Sequence, residues 1–235
     1  MDLGRITTIV FDLDGTLCYY AISTEEAIAE SLRRVGHPEG ILGSIVEVAA
    51  RYDGLWREEE ANRDGDGSVR VRAWKKLLRE HEIDGPNLAE ELSKEYTSLR
   101  VPSISLFKGA RELLEDLRRR YKLGLLTNGP SDMQWQKIGI LGMMQLFDAV
   151  VVSGDMGVYK PDPGVFLAIL KKLSSRPDET LYIGDSYPMD VVGAKAAGIF
   201  AAWVKRDGNE RPAEEAPDLL LKDVVELREV LLEQV

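Results

Sequence analysis

The sequence predicts an α/β fold: a doubly wound parallel sheet that carries an inserted α-helical domain. Three observations predict it. From residue 102 onward, strand and helix patterns alternate strictly, which is the signature of a parallel sheet covered by helices. Residues 21–100 show helical periodicity with no strand pattern among them. Ahead of that block, residues 6–10 form a β-branched apolar run suited to a buried parallel strand. A lone strand cannot make a sheet, so this one must join the strands from residue 121 onward, and the helical block becomes an insertion after it.

Each element has its own signal. Ser23 or Thr24 followed by two glutamates opens a helix in which Ala27, Ile28, Leu32 and Val35 recur at helical spacing, and Gly36 ends it. Further helices are predicted over 41–61, 69–81 and 86–98, separated by the Asn62–Gly67 stretch and by Asp84-Gly85-Pro86. The alternating part then predicts helices over 109–120, 132–142, 163–173 and 188–197, with strands at 121–127, 148–153, 180–184 and 199–204. After a short acidic loop between Pro212 and Pro217, a last strand at 219–221 and a helix at 223–234 close the chain. The division expected is 1–17 with 101–235 as the sheet-based core and 18–100 as the helical insertion.

Composition narrows the function. A chain of 235 residues with 44% hydrophobic and 30% charged residues has the makings of a self-sufficient globular core. Its net charge of −10 disfavours nucleic-acid backbones and anionic membranes, so a small-molecule substrate fits better than a polymer. One cysteine, Cys18, excludes a disulfide framework, and two separated histidines, His37 and His81, exclude a histidine metal site. Any metal would therefore be held by oxygen. The amino terminus shows no signal-peptide pattern and no run approaches membrane-spanning length, which predicts a cytoplasmic protein.

The chemistry gathers where strands end. Phe11-Asp12-Leu13-Asp14-Gly15-Thr16 follows the first strand, and strand alternation would point Asp12 and Asp14 the same way while Gly15 permits a sharp turn. Two such close carboxylates require a bound cation or one raised pKa. Leu126-Thr127-Asn128-Gly129 offers a hydroxyl and turn N–H groups ahead of a helix expected to be capped by Ser131, a combination suited to phosphate oxygens. Tyr159-Lys160-Pro161 places one lysine between a strand and a helix. Gly184-Asp185-Ser186-Tyr187-Pro188-Met189-Asp190 adds one carboxylate at a strand end and another at the start of a helix, hard oxygen ligands that suit Mg²⁺.

Taken in order, Asp12-Leu13-Asp14-Gly15-Thr16, Thr127, Lys160 and Gly184-Asp185…Asp190 resemble the four motifs of the haloacid dehalogenase-like (HAD) hydrolases. The resemblance spans essentially the whole chain, with the helical block where that superfamily carries a cap. It implies a Rossmann-like core, and it implies Asp12 as the nucleophile that becomes an aspartyl-phosphate. Asp14 would protonate the leaving oxygen and later deprotonate water, with a pKa near the operating pH. Thr127 and the N–H groups near Asn128 and Gly129 would hold the transferring oxygens, and Lys160 would neutralise their charge. Mg²⁺ would be held by Asp12, the Asp14 carbonyl and Asp185. Asp190 has two roles open, a metal ligand through water or an orienter of Lys160, and Ser186 is a supporting group.

Dehalogenases of the superfamily lack an aspartate at the position of Asp14, so the resemblance implies a Mg²⁺-dependent phosphatase of a small phosphorylated metabolite. A sugar phosphomutase carries the same motifs and stays open, as does a non-catalytic binding member. The cap is expected to close over the site and contact the rest of the substrate, with Tyr19, Tyr20 and Arg57 as candidate contacts. Trp56 and Trp74 are expected to be core between cap helices. The Asn62–Val69 stretch resembles the start of an EF-hand loop, but Ala73 stands where its closing glutamate belongs, which predicts an ordinary exposed loop. His37 and His81 are expected at the surface, and Cys18 as a small buried filler.

Overall fold

The computed structural model describes residues 2–38, 40–61, 68–205 and 216–232, and these divide into two compact units. One comprises Met1–Tyr19 with Ser105–Val235, the other Tyr20–Ile104. Among the described residues no helix is long and apolar enough to cross a membrane.

The first unit is built on a parallel sheet of β1 (Thr8–Phe11) and, later in the chain, β4 to β8. Between them, β2 (Cys18–Tyr20) and β3 (Ile104–Leu106) pair as a separate ribbon where the chain passes from one unit to the other and back. β4 is Lys122–Thr127, β5 Ala149–Val152, β6 Thr180–Gly184, β7 Phe200–Val204 and β8 Leu219–Leu221. The sheet runs β5-β4-β1-β6-β7-β8 and all its pairings are parallel. Counted along its own strands that is the 3-2-1-4-5-6 order of a doubly wound sheet, whose direction of winding reverses between β1 and β6. Ligand crevices in such sheets open at that reversal, beyond the strands' carboxyl ends. Phe11 pairs with Leu125 on one side and Ile183 on the other, so the loops after β1, β4 and β6 leave at one level.

The central strands are buried throughout, because helices cover both faces. Val10, Leu126, Phe166, Ile169, Tyr182 and Trp203 form the core of one face, with α8 (Pro163–Leu173) packed on β4 and β5.

The second unit holds α1 (Thr24–Arg34), α2 (Ile45–Ala61), α3 (Val69–Glu80) and α4 (Leu88–Arg100). Ser23 caps α1 in a full capping box: its hydroxyl accepts from the Glu26 N–H, and the Glu26 carboxylate accepts from the Ser23 N–H. Trp74 and Tyr52 are fully buried at the centre, 4.8 Å apart, and Trp56 packs against them as expected of core aromatics. His37 and His81 are half-buried, His81 with Nδ1 on the Leu77 carbonyl. Residues 62–67 of the Asn62–Val69 stretch that is expected to be an ordinary exposed loop, and residues 212–215 of the acidic loop, lie outside the described residues.

Several boundaries differ from the sequence reading. The remaining helices of the first unit are α5 (Ala110–Leu117), α6 (Ser131–Leu141), α7 (Ser153–Met156), α9 (Val192–Ala196) and α10 (Leu227–Leu231). β2, β3 and α7 were not anticipated, being too short to show a period. Ser131 does not cap α6: Pro130 holds that position, and the Ser131 hydroxyl goes instead to Asp155. The helix expected over 188–197 begins as a wider π turn, Tyr187–Val191, before α9. There Asp190 folds back over Gly184, where a Cβ would lie 2.3 Å from the Asp190 carboxyl carbon.

Candidate active site

Strand β1 ends at Phe11, and Asp12 keeps sheet register only through its N–H, which donates to the Ile183 carbonyl at 2.8 Å. The chain then turns away, and Asp14 sits in the loop opposite Cys18. Strand alternation therefore does not reach Asp14, and the two carboxylates meet different partners. Gly15 makes the turn with φ +80°, and a Cβ there would fall 2.3 Å from Asp185 Oδ2. Only glycine meets both conditions.

Lys160, carried by the loop after α7, is 4% exposed, and its ammonium donates to Asp12 Oδ1 at 2.6 Å, Asp190 Oδ1 at 2.7 Å and the Tyr182 hydroxyl at 3.0 Å. Three N–H bonds thus meet three acceptors. Asp190, 1% exposed, also accepts from the Ser186 N–H at 2.9 Å and has the Tyr182 hydroxyl 3.1 Å from its Oδ1. Burial would push the Lys160 pKa down, but the Asp12 and Asp190 carboxylates outweigh it and hold the ammonium well above its ordinary value. Burial first, with Asp190 and Asp185 adding repulsion, pushes Asp12 well up despite Lys160.

Asp14 is held from α6. The Lys137 ammonium lies 2.9 and 2.8 Å from its two carboxylate oxygens, and Gln134 Nε2 donates to Oδ2 at 2.9 Å. Enclosure works to raise the Asp14 pKa, but the Lys137 charge and the hydrogen bonds from Gln134 and Lys137 together bring it below the ordinary carboxylate value. This corrects the expectation that Asp14 titrates near the operating pH, and the physical reason is the lysine that the sequence reading did not place.

Thr127 ends β4, nearly fully buried, and its hydroxyl accepts from Gln134 Nε2 while facing the Asn128 carbonyl at 3.2 Å. The Asn128 side chain does not point at a phosphate position. Its Oδ1 accepts from the Lys160 N–H at 2.9 Å and the Ser153 hydroxyl at 2.7 Å, and its Nδ2 donates to the Lys160 carbonyl at 3.1 Å. Asn128 thus fastens the Lys160 loop, and what the turn at Asn128 and Gly129 has to offer an anion is backbone N–H. The Asp185 carbonyl accepts from the Trp203 indole at 2.8 Å, which fixes the loop after β6.

Carboxylate oxygens of Asp12, Asp185 and Asp190 all lie within 4.8 Å of one another. Asp12, Asp14, Asp185 and Asp190 outnumber Lys137 and Lys160 by two charges, and the donor set is hard oxygen, so these residues fit a small divalent cation. The Asp14 carboxylate stands outside that cluster on Lys137, leaving its backbone carbonyl as the atom it could offer. Cys18 is fully buried, its thiol donating to the Leu13 carbonyl at 3.3 Å, and burial, with Asp14 second, pushes its pKa far up. It is a filler, not a nucleophile.

Matched against protein families, residues 6–198 fit the haloacid dehalogenase-like hydrolases. The chain belongs to that family. Among similar HAD proteins, phosphoserine phosphatase of Thermus thermophilus is 32% identical over 250 residues, covering 95% of this chain and 97% of its own. Glyceraldehyde 3-phosphate phosphatase of Methanopyrus kandleri is 29% identical, with 97% and 98% covered. In structure, the HAD-hydrolase YfnB of Bacillus subtilis, solved with magnesium, superposes with a TM-score of 0.78 at 24% identity, covering 97% of this chain and 99% of that one. This last likeness speaks for the HAD fold. The site adds Gln134, Lys137, Tyr182 and Trp203 to the residues found by motif. Gln134 and Lys137, three apart, share the buried face of α6 with Met133, Ile138 and Leu141, and because polar residues interrupt that face no apolar stripe in the sequence marks it as buried.

Proposed function

We propose that this chain is a Mg²⁺-dependent phosphomonoesterase that acts on a small phosphorylated metabolite through a phosphorylated Asp12. The observation that carries the reading is the separation of two neighbouring carboxylates onto two different lysines, Asp12 on Lys160 and Asp14 on Lys137. Carboxylates two residues apart in contrasting environments take contrasting roles. The names of the relatives, phosphatases of small phosphate esters, support the same substrate class.

Asp12 Oδ attacks phosphorus, a bond forms between them, and the ester P–O bond breaks toward the leaving oxygen. That oxygen takes a proton from Asp14. A bound phosphate brings negative charge beside Asp14 and works against the hold of Lys137, which makes the protonated form accessible when substrate is present. Lys160 lies against the attacking carboxylate and offsets the charge that collects there, while Thr127 and the N–H groups of the Asn128–Gly129 turn receive the phosphoryl oxygens. Water then attacks the phosphorus and gives its proton to Asp14, the bond to Asp12 breaks, and phosphate leaves. Mg²⁺ held by Asp12, Asp185 and the Asp14 carbonyl would keep Asp12 ionised and offset the phosphate charge. Asp190 orients Lys160.

The test is product analysis over a panel of phosphorylated metabolites with Mg²⁺. The wild-type protein should release inorganic phosphate and free alcohol in equal amounts, with no isomeric sugar phosphate from any hexose phosphate. Asp12→Asn, whose amide cannot attack phosphorus, should lower phosphate release by about 10³-fold or more while leaving the thermal transition in place. Near-wild-type release by that variant, or isomer without phosphate, would overturn the reading.

A further inference from the structure

α6 presents two polar side chains to the interior, and both end on Asp14. Gln134 is fully buried and Lys137 is 3% exposed. A residue selected for packing alone would be apolar at either position, because burying an amide or an ammonium is costly unless its partners repay it. Gln134 shows the cost directly: its Oε1 is buried with no hydrogen-bond partner among the described residues, while its Nε2 reaches Asp14 Oδ2, Thr127 Oγ1 and the Asn128 carbonyl. The amide cannot be reversed to satisfy Oε1, since that would set an oxygen against a carboxylate. Lys137 bridges both oxygens of Asp14, and a carboxylate gripped at both oxygens cannot rotate about its Cβ–Cγ bond. The Asp14 side chain is 37% exposed, so without that grip only the Gln134 hydrogen bond to Oδ2 would oppose its turning to solvent.

We propose that Lys137, assisted by Gln134, is a positioning residue that fixes the orientation of the Asp14 carboxylate for proton transfer, so that Lys137 controls the hydrolysis of phosphorylated Asp12. The inference rests on the functional reading above. In that hydrolysis, water forms the new bond to phosphorus and its proton passes to Asp14, while the electron pair of the breaking bond returns to Asp12. Gln134 joins Asp14 to Thr127 and to the Asn128 carbonyl, so one helix sets the proton-transfer group in register with the phosphoryl-binding turn.

Acetyl phosphate labelled at phosphorus separates the two steps, because acetate leaves without a proton and Asp14 is then needed only for the second. The experiment compares wild type, Lys137→Met, Lys137→Arg and Gln134→Met by acid-quench, following label on the protein and phosphate in solution. In Lys137→Met the formation rate should stay within about threefold of wild type while hydrolysis of the labelled protein slows by about tenfold or more, so label accumulates. Lys137→Arg, which keeps the charge and can grip both oxygens, should recover most of the hydrolysis rate, and Gln134→Met should slow the same step less. Formation and hydrolysis falling together, or hydrolysis unchanged in Lys137→Met, would overturn the proposal. If Lys137→Met does not fold, Gln134→Met decides: hydrolysis slowed by about threefold or more with formation unchanged supports the proposal, and the two falling together, or hydrolysis unchanged, overturns it. Wild-type protein that neither takes up label nor releases phosphate from any ester would instead overturn the functional reading, and the inference with it.

Discussion

Lys160 shows at the scale of one residue how stability and chemistry share a side chain. Its ammonium is the common partner of Asp12 and Asp190, both nearly inaccessible to water, and it is itself closed off from solvent. Removing the lysine from such a cluster leaves two buried carboxylates without compensation, and breaking a buried pair in this way typically costs about 3–5 kcal/mol. Lys160→Met should therefore lose stability of that order in urea unfolding and lose about 10²–10³-fold in kcat, where a purely electrostatic helper at the surface would change neither by much. A variant as stable as wild type would mean that the cluster is not what it looks to be. Lys160 itself was legible from its motif. Its partner Tyr182 was not, because a tyrosine in mid-strand reads as core, and only the through-space geometry shows its hydroxyl on Lys160 and Asp190.

Elements tell a similar story. α1 was legible to within a residue because everything that starts it is local: the Ser23 hydroxyl, the Glu26 carboxylate three places on, and the apolar stripe behind them. Ser23→Ala removes one half of the capping box and should cost about 1 kcal/mol, read as an earlier urea midpoint, with phosphate release unchanged. α6 is the contrary case. Its buried face mixes Met133, Ile138 and Leu141 with Gln134 and Lys137, so no amphipathic stripe marks it, and its purpose appears only when the loop after β1 comes alongside. The π turn at Tyr187–Val191 is equally silent in the sequence, since an apolar pattern over so few residues does not distinguish backbone hydrogen bonds to the fourth residue back from bonds to the fifth.

Over the whole molecule, the acidic cluster joins residues 173 to 178 positions apart in the chain, Asp12 after β1 with Asp185 and Asp190 after β6, at the reversal point of the sheet. A cation bound by such a cluster has no counterpart in the unfolded chain, so it stabilises the folded form by about 2.7 kcal/mol at a hundredfold excess over Kd. Mg²⁺ should accordingly raise the melting temperature relative to EDTA, and Asp185→Asn should abolish that rise. EDTA should also silence phosphate release and Mg²⁺ restore it. Ca²⁺ should not restore it, because its longer and more numerous bonds disturb an in-line displacement. Equal rates with the two ions would contradict a site of this size.

What the sequence by itself determined is whatever depends on neighbours along the chain. The alternation that makes a parallel α/β sheet, the helical run of the insertion, and the strand-end motifs holding Asp12, Asp14, Thr127, Lys160, Asp185 and Asp190 all have short-range signatures, because periodicity and turn chemistry act over a few residues. The tertiary structure alone decided which charges share a partner. That Asp14 leaves its neighbour Asp12 for Lys137, that Asn128 fastens the Lys160 loop rather than facing a phosphate, and that Trp203 holds the Asp185 backbone follow from strands and helices distant in sequence packing at fixed separations. Hydrogen bonds and ion pairs reach only a few ångströms, so their pairing is written in the packed core and not in the order of residues.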